Sequence, residues 1–171
     1  MASLAGVSFR TIQLIESGEH DPKLSTLQKI AASLGYPSEI ITQTLTGVFA
    51  QPADSVAMVS ERIIEEGEAS WKIWLFNFVD AFRKRKDAAY VLAPPAQNLS
   101  KRLRALTASV VETLCEELNV AMPWWCAVVP PIKEPWFVSG VEGLKASALL
   151  ESPFYFRKRN IFVLENFLSR R

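Results

Sequence analysis

The chain has 171 residues, enough for one sizeable core or two small ones. A hydrophobic content of 49% with five tryptophans excludes a disordered tail. The net charge of +1 supplies no overall basic field, so a nucleic-acid role has to come from a local patch.

The first informative segment runs from Ala5 to Gly18, as AGVSFRTIQLIESG. It reads as a helix end, a tight turn at Gly6 and a second helix opening on Ser8. Glycine has no Cβ to clash at positive φ, and serine accepts a bond from an orphan amide at a helix start. Ile12 and Ile15 share one face, leaving Phe9, Arg10, Gln13 and Glu16 largely outside that stripe. A short helix with a buried stripe and a projecting, mixed N-terminus has the shape that enters a DNA major groove. Asp21-Pro22 then stops a helix, and Ser25-Thr26-Leu27-Gln28 reads as a capping box opening a helix over Leu27–Leu34, with Gly35 as its stop.

Together these residues resemble the Cro/repressor-type (XRE, lambda-repressor-like) helix-turn-helix family, from Met1 to about Thr46. The shared pattern includes A-G-V-S-x-x-T-I-x-x-I-E-x-G and, after Pro22, T-L-x-K-I-A-x-x-L-G. The resemblance implies that Ser8, Phe9, Arg10, Thr11 and Gln13 face the groove. Arg10 would read guanine O6 and N7, Phe9 would pack on thymine methyls, and Gln13 would meet an adenine edge. It implies that Ser17, His20 and Lys23 form the loop that touches phosphate. Family members carry one more helix before the segment that begins here at Met1. That helix packs on the core that Leu4, Ile12, Ile15, Ile30 and Leu34 line here, and its basic residue pairs with the acid matching Glu16. Either the natural start lies upstream of Met1 or this half-domain finds cover elsewhere, and the first is the simpler expectation.

Beyond Gly35, Pro37 starts a short helix over Ser38–Leu45, and Gly47 to Pro52 connects. Asp54 or Ser55 caps a helix running to Glu66, stopped by Gly67. Between Ser70 and Lys86, Trp71, Trp74, Leu75, Phe78, Val79 and Phe82 form one wide helical stripe, with Ile73 and Phe76 apolar on the other side. Trp71, Trp74, Phe78 and Phe82 are therefore expected to be largely buried. Pro94-Pro95 precedes a long helix from about Ala96 to Asn119. Its seam is Leu99, Leu103, Leu106, Val110 and Leu114, and Glu112, Glu116 and Glu117 read as surface. From Met122 to Gly140, prolines interrupt the aromatic pieces Trp124-Trp125 and Trp136-Phe137, which predicts a wrapping segment with one short edge strand. A helix from Val141 to Leu150 follows. Ser152-Pro153 then signals the start of a final helix to about Leu168, apolar almost all round. No internal repeat or low-complexity tract is present.

The predicted fold is mainly α. A helix-turn-helix DNA-binding domain spans 1–47, and a helical dimerisation or partner-binding domain spans 54–171, with an irregular segment rich in proline and tryptophan. Arg83–Lys86 reads as a solvated helix end favoured by the macrodipole, and Lys101-Arg102-Leu103-Arg104 is a second basic cluster. Trp124, Trp125, Trp136, Phe137, Arg157 and Arg159 are candidates for binding a protein partner. For the aromatic residues the alternatives are core anchors or a ligand pocket, and for Arg157–Arg159 snorkelling around a buried helix. Cys115 and Cys126 are the only cysteines and His20 is the only histidine, so no set has zinc-ligand spacing and reduced, partly buried thiols are expected. The sequence has no Gly-rich phosphate loop and no nucleophile-base spacing. Glu65-Glu66 and Glu116-Glu117 are adjacent carboxylates pointing about 100° apart, which reads as solvated surface. The chain is thus expected to be neither an enzyme nor cofactor-bound.

No apolar run reaches the ~20 residues a bilayer span needs, and the expected compartment is the cytoplasm. The resemblance implies a regulator that binds double-stranded DNA as a homodimer. The segments Trp136–Gly140 and Arg159–Arg171 look like antitoxin-type proteins encoded beside nucleotidyltransferase-like toxins, which implies a toxin partner and repression of the chain's own operon. Two alternatives remain: a ligand-sensing repressor, and a partner-binding protein whose reader no longer touches DNA.

Overall fold

The computed structural model describes residues 6–19, 21–35 and 51–169, and the chain divides into two compact units, 1–50 and 51–171. The described residues are mainly α-helical. Leu4, His20 and the helix expected over Ser38–Leu45 lie outside them.

In the first unit, α1 spans Phe9–Glu16 and α2 spans Leu24–Ser33. Ser8 is extended and its hydroxyl accepts from the Thr11 amide at 3.1 Å, as the sequence predicts for an N-cap. The helix closes with paired bonds from Glu19 N–H to the Leu14 carbonyl (3.0 Å) and from Gly18 N–H to Ile15 (3.1 Å). Gly18 holds φ at +75°, which the closure requires. The capping box expected at Ser25 does not form. Pro22 ends the preceding turn, and Lys23 becomes the N-cap with its backbone alone, its carbonyl receiving the Thr26 and Leu27 amides. Ser25 therefore sits inside the first turn. Ile12 and Ala31 are the buried apolar residues among those described here, while Ile15 and Ile30 are half-buried and Leu34 is exposed.

The second unit is built around one helix. α3 (Val56–Glu66) is capped by Ser55 and stopped by Gly67 at φ +92°, so the predicted limits hold. α4 (Trp71–Arg85) buries Leu75, Phe78, Val79 and Phe82 completely, with Trp71 and Trp74 half-buried beside them. α5 (Lys101–Leu118) starts at the Ser100 cap. It buries every residue from Ala105 to Glu112 as well as Leu103, Leu114 and Cys115. A helix buried this far around has neighbours on all sides. Ala105, Ala108 and Ser109 let them come close, and the Ser109 hydroxyl lies 2.8 Å from the Tyr155 carbonyl.

The proline- and tryptophan-rich segment wraps this helix, as expected. It includes a 3-10 turn at Trp124–Val128 and a short strand, β1 (Trp136–Phe137). After α6 (Lys145–Glu151), the long final helix predicted from the apolar pattern is absent. Instead α7 is one turn (Phe154–Arg157), the chain reverses at Asn160 with φ +62°, and β2 (Ile161–Phe162) pairs parallel with β1. A 3-10 turn at Glu165–Leu168 follows. The uniform apolarity came from three short elements that each send a residue inward: Phe156, then Ile161 and Val163, then Leu168. Ser152 does not cap either. Its buried hydroxyl accepts from the Val163 amide at 2.6 Å and faces the Val163 carbonyl at 2.9 Å, tying α6 to the β2 strand.

Candidate nucleic-acid interface

The N-terminal end of α1 presents an outward row. Phe9 is 68% exposed, which is far from the packing expected of a core phenylalanine, and Arg10 and Gln13 are exposed beside it. Ser8 is engaged in capping, and its hydroxyl lies 2.7 Å from that of Thr11, which is half-buried. These two residues set the shape of the helix end and present their oxygens at its rim. Ser17 is exposed, but its hydroxyl donates to the Leu14 carbonyl at 3.1 Å and so serves the helix C-terminus. Lys23 is exposed and His20 lies outside the described residues. The residues available for base edges are therefore Phe9, Arg10 and Gln13.

The local charge is balanced. Arg10, Lys23 and Lys29 stand against Glu16, Glu19 and Asp21 over the described residues of this unit.

The partner-binding candidates of the second unit do not form one surface. Trp125 is buried, its indole N–H donating to the Val91 carbonyl at 2.8 Å. Trp136 is buried against Trp71 with ring centroids 6.0 Å apart, and Phe137 stacks on Phe162 at 5.0 Å. Arg159 is 2% exposed and makes an ion pair with Glu112 while donating to the Cys126 carbonyl at 2.7 Å. These residues are anchors of the fold, and only Trp124 and Arg157 remain exposed.

Glu112, read from the sequence as surface, is the acid at the centre of the second unit. Lys158 reaches its other oxygen at 2.8 Å. Its periodicity on α5 matched the solvent side, and its partners lie more than forty residues away, so spacing alone did not reveal it. The thiols sit in the same core. Burial, with Glu112 adding its charge, pushes Cys115 up to about 11 and Cys126 up to about 12. Both are free and buried, and both stay protonated at neutral pH.

Among the described residues no group of His, Cys, Asp and Glu is placed to hold a metal ion. No helix among them is long and apolar enough to cross a membrane. Residues 1–41 match a helix-turn-helix family model, a family of DNA-binding domains, and the match supports a DNA-binding transcriptional regulator in kind. No curated protein and no solved structure matches the chain.

Proposed function

We propose that this helix-turn-helix protein is a sequence-specific repressor that reads DNA through Phe9, Arg10 and Gln13 of α1. The observation that carries the reading is the helix-turn-helix match over residues 1–41 on a segment whose capped helix leaves those three side chains exposed. Arg10 donates to guanine, Gln13 meets adenine and Phe9 packs on a thymine methyl. Lys23 contacts phosphate and fixes the register. Two copies are needed, because one short helix with so few cations binds weakly and paired half-sites multiply that affinity. The working compartment is the cytoplasm, where the operon is.

The second unit serves assembly, either with another copy or with a toxin encoded in the same operon. Trp124 and Phe154 are well exposed, and Leu150 is 84% exposed, which leaves apolar side chains available to such a partner. No catalytic role is proposed.

The test is an electrophoretic shift of fragments from the protein's own promoter. One fragment should bind selectively, with sedimentation showing a dimer on it. Equal binding of all fragments sinks the repressor reading.

A further inference from the structure

The sequence reading left the Lys101–Arg104 cluster unabsorbed, and the structure puts part of it into a cleft. Arg102 lies with its guanidinium carbon 3.8 Å from the centroid of the Trp136 ring. Trp136 meets Trp71 edge-on, and Lys72 lies 5.7 Å from the Trp71 ring centroid. These four residues, with Phe137 and Gly140, line a cleft of about 380 Å³ within the second unit. Arg102 and Trp136 also line an adjoining cleft of about 290 Å³ that contains Lys133.

Two features of the cleft suit an occupant of a particular kind. Among the described residues Arg102, Lys72 and Lys133 make no ion pair. Arg102 has no acceptor there either, so its planar fork of donors is unused at the mouth of the cleft. Glu68 lines the first cleft and Glu134 the second, and neither makes an ion pair with those cations. Arg102 and Lys101 also occupy the first turn of α5, where the helix dipole disfavours cations. Their position is thus not explained by the helix they belong to. The exposed flat surface there is the Arg102 guanidinium, which lies over the buried Trp136 ring, with half-buried Trp71 beside it. A guanidinium plane is a surface on which a flat base stacks.

We propose that this cleft binds a nucleoside phosphate. The base stacks on the Arg102 guanidinium, which Trp136 backs from beneath, and Lys72 and Lys133 meet the phosphates. The volume is within the range of small-ligand sites. This site lies wholly in the second unit and stands independently of DNA recognition by α1.

Calorimetry on the full chain tests it, with ATP, GTP, CTP and UTP as probes beside adenosine, inorganic phosphate and benzoate. At least one nucleoside triphosphate should bind saturably, at least tenfold tighter than adenosine, phosphate or benzoate. Arg102→Ala and Lys72→Ala should each weaken it at least tenfold. Lys84→Ala, on the exposed end of α4, should leave it unchanged. Circular dichroism identifies any variant that fails to fold, and Arg102→Lys then takes its place. In a nitrogen-correlation spectrum, the indole N–H signals of Trp71 and Trp136 should shift while that of Trp125 stays. Absence of saturable binding by every nucleotide overturns the proposal. Equal binding by benzoate, equal loss on Lys84→Ala, or binding of single-stranded DNA without any mononucleotide would each overturn it too.

Discussion

The two units use the same local devices and reach different kinds of packing. Ser8 starts α1 as Ser55 starts α3 and Ser100 starts α5, each with its hydroxyl on an amide of the first turn. α1 and α5 both end with a left-handed residue, Gly18 and Asn119, and a backbone amide reaching back into the last turn. Burial separates them. The first unit holds Ile12 and Ala31 inside among its described residues, whereas the second closes fully around Phe78, Phe82, Leu106, Val110 and Phe156. Caps fix where a helix begins and ends, and they say little about how much of it is covered. α1 keeps the face that carries Phe9, Arg10 and Gln13 bare.

The sharpest break of that contrast is at Glu112. Glu112→Ala leaves Arg159 buried and uncompensated, and it should cost about 3–5 kcal/mol of the second unit's stability. Urea unfolding followed by tryptophan fluorescence reads this directly, because all five tryptophans lie in that unit. Glu112→Leu combined with Arg159→Met should recover most of the loss. A single variant as stable as wild type would show that the pair does not hold the core.

Truncations in the two cores should differ in size. Ile161→Val, at a fully buried site of the second unit, should cost about 1.5 kcal/mol. Ile12→Val in α1, less fully buried, should cost only about 0.5 kcal/mol, each measured by amide exchange. Equal losses would erase the distinction drawn between the units.

Ser8→Ala should destabilise α1 by about 1 kcal/mol through loss of its cap. It should leave exchange in α5 unchanged, which confines the effect to the first unit.

The thiols give a pH window. Their folded values are raised above the ordinary 9.0, to about 11 and about 12. Protonated thiols therefore favour the folded state below pH 9, and that contribution is lost as pH rises from 9 through about 11. Thermal melts should hold steady from pH 7 to 8.5 and fall above pH 9, and Cys115→Ala with Cys126→Ala should flatten the fall. A fall unchanged in the double variant would assign it to other groups.

Much of this was legible in the chain. Ser55 and Gly67 bracket α3 because a cap and a positive-φ stop are local signals. Leu103, Leu106, Val110 and Leu114 are buried along α5 as their spacing predicts. Leu99 is buried ahead of the helix, which starts five residues later than expected, after the Ser100 cap. Trp71 and Trp74 were expected deeper than they lie, since the stripe's edge is set by neighbours the spacing does not record. The final helix failed for a related reason. Continuous apolarity describes burial without naming a period, and the reversal at Asn160 turns one run into a turn, a strand and a second turn. Trp125, Trp136 and Arg159 were offered as partner contacts because aromatic and basic residues serve both uses. Only the location of Val91, Trp71 and Glu112 decides which one applies.

The account rests on α1 reading bases, and a base-by-base competition assay tests that most directly. The full chain is titrated against operator variants carrying every single substitution, alongside Arg10→Ala. The wild type should lose affinity at several positions. Arg10→Ala should lose about 1–3 kcal/mol of discrimination at one guanine, as a single bidentate contact does, and Lys23→Ala should weaken all variants alike. An Arg10→Ala profile identical to wild type at every position would contradict the assignment of α1 as the reader.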